Sequence, residues 1–522
     1  MGRKMTIREI LKYDKPIKES TVRQLLFGIC IGLYFFTNLI FFINHEPYRD
    51  EANVWLMAKY LSPVELLREI HYQGHPCLWY LLVMPFAKLG LPYRTIEVLS
   101  FLIMLIAAVL FVGQAKLIGI AKIACLFSPI FLYFYPVIAR GYCLIVLLLV
   151  LVAIVYPKRF HKPVWYGLLL GLLVQADTIS VGLAGGLSVA WLTESLFQSY
   201  VTKKNRSSFR KALMGLWIPL TSFFFWIFQM AAEVGQIGGD HGSFSKDSFF
   251  ADCRGYAYHM VERLTGWTTG FTLWFFIVLL ATGLILCVYS RNVTGLFVFL
   301  FSYAYMSIFS IVVYGLHIWH FISLAFSFFW MVWMMQIDVD KRLEKEKSST
   351  SSLQKWLIIC ARYVLNGLVV LFAVCCFLHW NSEDEPSNLQ EALHGVYSNA
   401  GEAAAFLQKN VPRDALIVST NAAFDSSVLA FLDGYEMHFA TNGMLVNHAI
   451  YAGEELKSAT LADIEGWISK QYPDIVNYYV IVSDSAQLAG DEIRTMGILL
   501  YESQMDSNRK ENYRIYEVKK ER

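Results

Sequence analysis

Residues 21–60 read TVRQLLFGICIGLYFFTNLIFFINHEPYRDEANVWLMAKY, an apolar run followed closely by the acidic pair Asp50-Glu51. The run Thr21–Ile43 matches the hydrocarbon core of a bilayer, which about 20 helical residues cross. The preceding residues 1–20 are basic and lack a short apolar core followed by a small-residue cleavage site. We therefore predict that the first helix is retained as a membrane span and is not removed as a signal peptide.

The rest of the chain repeats this apolar pattern. Its 522 residues are 56% hydrophobic and 16% aromatic, and the mean hydropathy is +0.44. A soluble protein of this length needs a larger charged surface, so the composition indicates a polytopic helical membrane protein. The eleven segments predicted to cross the membrane are 22–43, 96–114, 117–137, 141–156, 163–177, 180–198, 211–230, 269–290, 293–313, 317–337 and 356–378.

The basic residues predict the orientation, because Lys and Arg concentrate in cytosolic loops. A twelfth apolar run, Leu78–Leu91, is short and is interrupted by Pro85 and Lys88. If this run lies in the interface or is re-entrant, the basic clusters at 116–122, 158–162, 203–206 and 341–347 all fall inside. We therefore predict a cell-membrane protein with a cytosolic N-terminus and an extracytoplasmic C-terminal domain.

Three regions follow from this topology. Residues 1–337 form a transmembrane domain, residues 338–380 hold a cytosolic linker and the last transmembrane helix, and residues 381–522 form an extracytoplasmic domain. The last region carries 22 acidic and 11 basic side chains, although the whole chain has a formal charge of +2. This asymmetry supports an outward position for the acidic region.

The last region alternates between helical and strand patterns. Helices are predicted at Asn388–Val411 and 459–470, and strands at Ala415–Thr420, Tyr478–Ser483 and Arg514–Val518. Such alternation is typical of a small α/β domain. The predicted fold is thus an all-α polytopic membrane domain of about 11 transmembrane helices plus interfacial helices, followed by a small external α/β domain.

The acidic pair Asp50-Glu51 provides the candidate catalytic residues. It lies within the polar patch 45–53, directly against the predicted outer face of the membrane. A carboxylate in that place can accept a proton from a substrate held at the surface. The alternative is that the pair only caps an interfacial helix predicted at Glu51–Tyr60, since acidic side chains favour helix N-termini.

Four residues at the predicted outer ends of helices are candidates for binding a phosphate: His75, Arg140, Tyr142 and His320. Imidazole and guanidinium groups at headgroup level suit a lipid phosphate, and the planar guanidinium can bind it through two nitrogens. Structural alternatives remain open: the histidine of Gly74-His75-Pro76 can end a helix, an arginine can snorkel, and His320 can belong to an interfacial belt.

Three further external residues, Arg49, Asp177 and His259, are candidates for contacting substrate. No spacing of His, Cys, Asp or Glu typical of a metal site is present in the sequence. The sequence therefore requires no cofactor, leaves a divalent metal ion open, and indicates membrane lipids and no nucleic acid as partners.

Four short motifs carry a resemblance to a known family. RDEANVW at 49–55, YQGHPCLWYLL at 72–82, ARGY at 139–142 and HIWHF at 317–321 resemble the GT-C superfamily of membrane glycosyltransferases. Within it, the chain is most similar to the branch of protein O-mannosyltransferases and lipid A aminoarabinose transferases. That branch often has a second proline where this chain has Cys77, and arginine-histidine where it has Trp319-His320. The resemblance covers about residues 20–340.

The resemblance implies transfer of a sugar from a polyprenyl-phosphate-linked donor on the outer face, with inversion at the anomeric carbon. It assigns the acidic pair to catalysis, and it implies that His75, Arg140 and His320 bind the leaving phosphate. The acceptor can be a glycan, a lipid or a protein. Two other functions remain open: a multi-pass transporter, and a polymerase or ligase that uses a lipid-diphosphate-linked glycan. A transporter is less favoured because the predicted midplane is nearly free of ionisable residues.

Overall fold

A computed structural model of the protein describes residues 21–201, 206–231, 249–313, 315–345, 351–382, 388–439, 448–449, 459–484, 493–494 and 497–519. The helices of the membrane part are α1 Thr21–Asn44, α2 Arg49–Tyr60, α3 Pro63–Glu69, α4 Leu78–Lys88, α5 Thr95–Gln114, α6 Gly119–Leu126, α7 Tyr135–Val137, α8 Tyr142–Val155, α9 Pro163–Ala176, α10 Val181–Leu196, α11 Arg206–Met230, α12 Phe249–Thr265, α13 Thr269–Ser290, α14 Thr294–Val312, α15 Ile318–Lys345 and α16 Ser352–Trp380. Short 3-10 turns lie at Ile70–Tyr72, Tyr156–Lys158 and Thr178–Ser180, and π-helical turns at Ile130–Phe134 and Phe197–Val201.

The predicted membrane architecture is confirmed. Within the described residues, eight helices are long and apolar enough to cross a membrane, and the bent pair Gly119–Leu126 and Ile130–Val137 adds a ninth if it counts as one span. Two further apolar stretches, Tyr142–Lys158 and Pro163–Ala176, are shorter. Each of the eleven predicted crossings therefore coincides with helical structure in the bundle.

The predicted crossing 117–137 is broken by a bend of 50°. Helix α6 ends at Leu126, three residues before Pro129. Proline has no N–H and disfavours the helical conformation in the residue before it, so a straight helix cannot continue through this point. The second half of the span then ends at Val137, directly before the Arg140 motif.

Two helices lie where the sequence predicted interfacial helices. Helix α2 begins at Arg49, two residues before the predicted start, and α4 covers Leu78–Lys88. With 11 residues, α4 is about 16 Å long, which is too short to cross a hydrocarbon core of about 30 Å. Helices α2 and α4 pack against each other.

The C-terminal region is a small α/β domain, as predicted. Its elements are α17 Leu389–His394, α18 Ala400–Asn410, β1 Ile417–Ser419, α19 Ala422–Phe431, β2 Met437–Phe439, α20 Leu461–Gln471, β3 Asn477–Ser483, β4 Gly497–Glu502 and β5 Tyr513–Lys519. The sheet order is β2-β1-β3-β5-β4. The first three strands are parallel, and β5 is antiparallel to β3 and to β4.

The structure differs from the prediction at several elements. The single helix expected at Asn388–Val411 is two helices, because the chain is extended at Gly395 after α17. Helix α15 continues to Lys345, so residues 338–345 of the predicted linker are helical. Helix α19 was not predicted, and it packs against α2 of the membrane part.

Candidate active site

The start of helix α2 positions the acidic pair. Tyr48 precedes the helix in an extended conformation, and its backbone N–H donates to Glu51 Oε2 at 3.1 Å. The same oxygen lies 3.1 Å from His45 Nε2, while Glu51 Oε1 accepts from Ala139 N at 2.5 Å. Glu51 is fully buried. Glu51 therefore connects the first turn of α2 to residues 138–141, the loop between α7 and α8. This arrangement fits a positioning role better than contact with substrate.

Asp50 differs from its neighbour because its side chain is 31% exposed. The Tyr48 hydroxyl donates to Asp50 Oδ2 at 3.1 Å, and Arg140 Nη1 lies 3.5 Å from the same oxygen. Burial acts to raise the pKa of Asp50, but Arg140, Arg49, the Tyr48 hydrogen bond and Arg509 together hold this pKa below its ordinary value. Asp50 is thus an ionised carboxylate that is open to an incoming group.

Arg140 is directed toward the acidic pair and not toward lipid. Its Nη1 donates to the backbone oxygen of Asp50 at 2.8 Å, and its side chain is only 10% exposed. Burial acts to lower the pKa of Arg140, yet nearby Asp50 holds that pKa well above its ordinary value. The next residue must be small, since a Cβ on Gly141 would lie 2.8 Å from the Ala176 oxygen. The glycine of the ARGY motif thus allows the loop to pack against the end of α9.

His75 is oriented by Asp177. His75 Nδ1 lies 2.8 Å from Asp177 Oδ2, and the other oxygen of Asp177 accepts from Ile179 N at 3.0 Å. Asp177 is buried, whereas the His75 side chain is 20% exposed. The turn before His75 contains Gly74 at φ +68°, a conformation that favours glycine. Asp177, which was predicted to contact substrate, thus lies within hydrogen-bonding distance of His75.

Tyr142 connects the two predicted imidazoles. Its ring lies 6.0 Å from that of His75 and 5.8 Å from that of His320, both edge-on, and it stacks on Tyr135 at 5.2 Å. His320 Nδ1 accepts from the backbone N–H of His317 at 2.9 Å. A neutral imidazole that accepts at Nδ1 carries its hydrogen on Nε2, where it can donate to an anion. Three predicted phosphate ligands thus form one contiguous cluster.

The two other predicted residues lie at the edge of this cluster. The Arg49 guanidinium lies 4.1 Å from the centre of the Phe424 ring, so it faces the C-terminal domain. The His259 ring lies 6.0 Å from that of Phe321, the residue after His320. In the described part of the chain, no group of three or more His, Cys, Asp or Glu side chains is arranged to hold a metal ion.

No protein-family model and no curated protein sequence matches the chain. Among solved structures, ArnT from Cupriavidus metallidurans in the apo state matches with a TM-score of 0.51 and 10% sequence identity, over 95% of this chain and 98% of that one. This chain has the ArnT fold. ArnT bound to undecaprenyl phosphate matches over the same shares of both chains, with 10% identity and a TM-score of 0.49.

The structure places C-terminal residues at the candidate site that the sequence did not indicate. Glu511 Oε1 accepts from the backbone N–H of Arg49 at 2.9 Å, across 462 residues of sequence. The Arg509 guanidinium lies 5.1 Å from the centre of the Tyr48 ring. Both residues belong to a polar segment before β5 with no motif of its own, so only the tertiary structure shows their position.

Proposed function

We propose that this protein is a membrane glycosyltransferase that moves a sugar from a polyprenyl-phosphate-linked donor to an acceptor at the outer membrane face. The observation that carries the proposal is the partly open Asp50 carboxylate, held by Arg140 near the His75 and His320 cluster. A hydroxyl that displaces a lipid phosphate needs a proton acceptor on one side and cations on the other. The ArnT fold and the four GT-C-like motifs support the same class of reaction.

The reaction is a single displacement. The acceptor oxygen attacks the anomeric carbon, its proton passes to Asp50, and the bond between that carbon and the phosphate oxygen breaks. Polyprenyl phosphate leaves with the bonding electrons, and the configuration at the anomeric carbon inverts. Proton transfer to a positioned base contributes about 10²–10⁴-fold to such a rate.

Stabilisation of the leaving phosphate falls to the N–H donors of His75, Arg140 and His320. Because the phosphate is charged, hydrogen bonds to it are charge-assisted and about twice as strong as neutral ones. The Tyr142 hydroxyl adds a further donor between the two histidines. The lipid tail of the donor lies among the apolar helices.

The function is tested by donor use. The purified protein in lipid nanodiscs is given a panel of polyprenyl-phosphate sugars with cell-envelope acceptors, with and without a chelator, and free polyprenyl phosphate is measured. A second arm offers polyprenyl-diphosphate-linked glycans. Release of polyprenyl phosphate from the monophosphate-linked donors supports the proposal. Release of polyprenyl diphosphate alone indicates a polymerase or ligase, and turnover of neither donor by folded protein contradicts the proposal and favours a transporter.

The outward position of the site is part of the proposal. Ser352 and Ser382 flank the last span, α16. A cysteine at Ser382 should react with a membrane-impermeant maleimide in intact cells, whereas a cysteine at Ser352 should react only after permeabilisation. The wild-type protein, whose nine cysteines are free, gives the background. Labelling of the Ser352 variant in intact cells would place the site on the cytosolic side and contradict transfer at the outer face.

Removing the imidazole of His75 should weaken donor binding. His75→Gln is expected to raise the dissociation constant for polyprenyl phosphate by about 10–100-fold, as the loss of a charge-assisted hydrogen bond of roughly 1.5–3 kcal/mol predicts. Asp177→Asn keeps an acceptor for Nδ1 but removes the charge that orients the ring, so its effect should be smaller. Equilibrium binding to the lipid phosphate is the measurement.

The matched control is His161→Gln, an exposed histidine beyond the far end of α8. It should bind polyprenyl phosphate like the wild type. Equal affinities of the His75 and His161 variants would show that the imidazole of His75 does not bind the phosphate.

A further inference from the structure

The C-terminal domain contacts the first turn of α2 through a buried acid. Glu511 is fully buried, and its Oε1 accepts the Arg49 N–H at 2.9 Å while its Oε2 accepts from Ser398 Oγ at 2.7 Å. The first N–H groups of a helix have no partner within the helix, and a carboxylate at this end also complements the helix dipole. Glu511 therefore caps, from a distant part of the sequence, the helix that carries Asp50.

A second contact reaches Asp50 through Tyr48. The Arg509 guanidinium lies among three aromatic rings, 4.8 Å from the centre of Tyr397, 4.9 Å from that of Trp319 and 5.1 Å from that of Tyr48. It also donates to the Tyr397 hydroxyl. Tyr48 in turn donates to Asp50 Oδ2 at 3.1 Å. Arg509 thus fixes the ring whose hydroxyl orients the proposed base.

Two further contacts attach the domain on either side of this point. Before α2, Glu46 Oε1 accepts from Gly401 N at 2.8 Å. Within α2, Asn53 Oδ1 accepts from Ala449 N at 2.8 Å, and its Nδ2 donates to the Ala449 oxygen at 3.1 Å. The domain therefore contacts the Asp50 segment before, at and after the start of the helix.

We propose that the C-terminal domain is a component of the active site, in which Glu511 and Arg509 are positioning residues for Asp50. The inference rests on the proposed function for the role of Asp50, but it does not depend on which sugar or acceptor is used. Burying a carboxyl group and partly burying a guanidinium group costs free energy, and apolar side chains would serve a mere docking surface better. The two charged groups instead place directed contacts on the segment that carries the base.

The first test compares two substitutions of Glu511 in the full-length protein. Glu511→Ala removes the acceptor for the Arg49 N–H, so hydrogen exchange of the peptide 46–55 should rise about tenfold or more. The single-turnover transfer rate should fall by a similar factor, while binding of polyprenyl phosphate stays within twofold of the wild type. Glu511→Gln keeps an acceptor oxygen and should restore both exchange and transfer. Burial raises the pKa of Glu511 to about 7, so the acid is partly protonated near neutral pH, and glutamine resembles that protonated form.

The second test uses the charge of Arg509. Arg140, Arg49 and the Tyr48 hydrogen bond lower the pKa of Asp50 most strongly, and Arg509 adds to them. Arg509→Met removes this contribution, so the pKa of Asp50 should rise. Because the base must be ionised, the acidic limb of the pH–rate profile should move to higher pH. If Arg509 had only a structural role, Arg509→Met would lower the transfer rate without moving the acidic limb of the pH–rate profile.

Arg514→Ala is the control, because Arg514 pairs with Glu502 and Asp484 inside the same domain. It should change neither the exchange of 46–55 nor the pH–rate profile. Two outcomes would overturn the proposal. In the first, Glu511→Ala changes neither the hydrogen exchange of 46–55 nor the transfer rate, and Arg509→Met does not move the acidic limb of the pH–rate profile. In the second, the variants lose transfer and donor binding in parallel, and Arg514→Ala shows the same losses. If the wild type transfers no sugar, the proposed function fails, and exchange of 46–55 still tests the positioning on its own.

Discussion

Asp50→Asn is expected to lower the single-turnover rate of sugar transfer by about 10²–10⁴-fold, the loss typical of a missing general base. Asparagine keeps the shape of the side chain and can still accept from the Tyr48 hydroxyl, but it cannot take up the acceptor proton. The backbone oxygen of Asp50, which Arg140 binds at 2.8 Å, is untouched by the change. Folding and the position of Arg140 should therefore survive.

Donor binding separates this outcome from a general loss of structure. Polyprenyl phosphate should bind the Asp50→Asn variant at least as tightly as the wild type, because a negative charge near an anionic ligand has been removed. Asp474→Asn is the matched control, since Asp474 is exposed and lies on the C-terminal domain. Near-normal transfer by Asp50→Asn would remove Asp50 as the base, whatever the affinity for the donor.

The membrane part of the fold was predictable because one physical quantity dominates it. Apolar runs must match the thickness of the bilayer, and this constraint located α1 and all later crossings. The bend before Pro129 follows from the chemistry of proline, yet hydropathy alone does not show it, because both halves of the span are apolar. At the early start of α2, the Arg49 N–H also donates to Glu511, a contact that no local sequence pattern indicates.

The C-terminal domain was less predictable, because two of its five strands, β2 and β4, were not predicted. Strand β2 has three residues, which is too few for alternation to be recognised. Helix α19 was missed for a different reason. Its sequence AAFDSSVLAF contains the buried polar residues Asp425, Ser426 and Ser427, so it lacks a clear apolar stripe.

The candidate site divides in a similar way. Asp50, His75 and Arg140 were predictable as candidates because ionisable groups stand out in sequence at the ends of apolar helices. Their partners were harder to assign. Asp177 was recognised as a site residue, but only the structure shows that it orients His75. Glu51 likewise stands beside Asp50 in sequence and yet points to the Ala139 backbone.

Arg140→Lys is expected to raise the donor concentration for half-maximal transfer by about tenfold or more. Arg140 already donates from Nη1 to the Asp50 oxygen, and its planar group has further N–H donors for a phosphate. A lysine ammonium is a single point charge that cannot reproduce this fork, so it must give up one of the two contacts. The measurement is the donor dependence of the single-turnover rate, made together with thermal unfolding.

Arg159→Lys is the control, because it makes the same change at the other end of α8, about 20 Å away. Arg159 is also buried, and it holds Glu194 Oε2 through Nε at 3.1 Å and Nη2 at 2.5 Å. Its variant should lose thermal stability but keep the donor dependence of the wild type, since the network it breaks is remote from Asp50. If Arg140→Lys instead keeps the donor dependence of the wild type, then Arg140 only holds the backbone of Asp50. In that case phosphate binding belongs to His75 and His320.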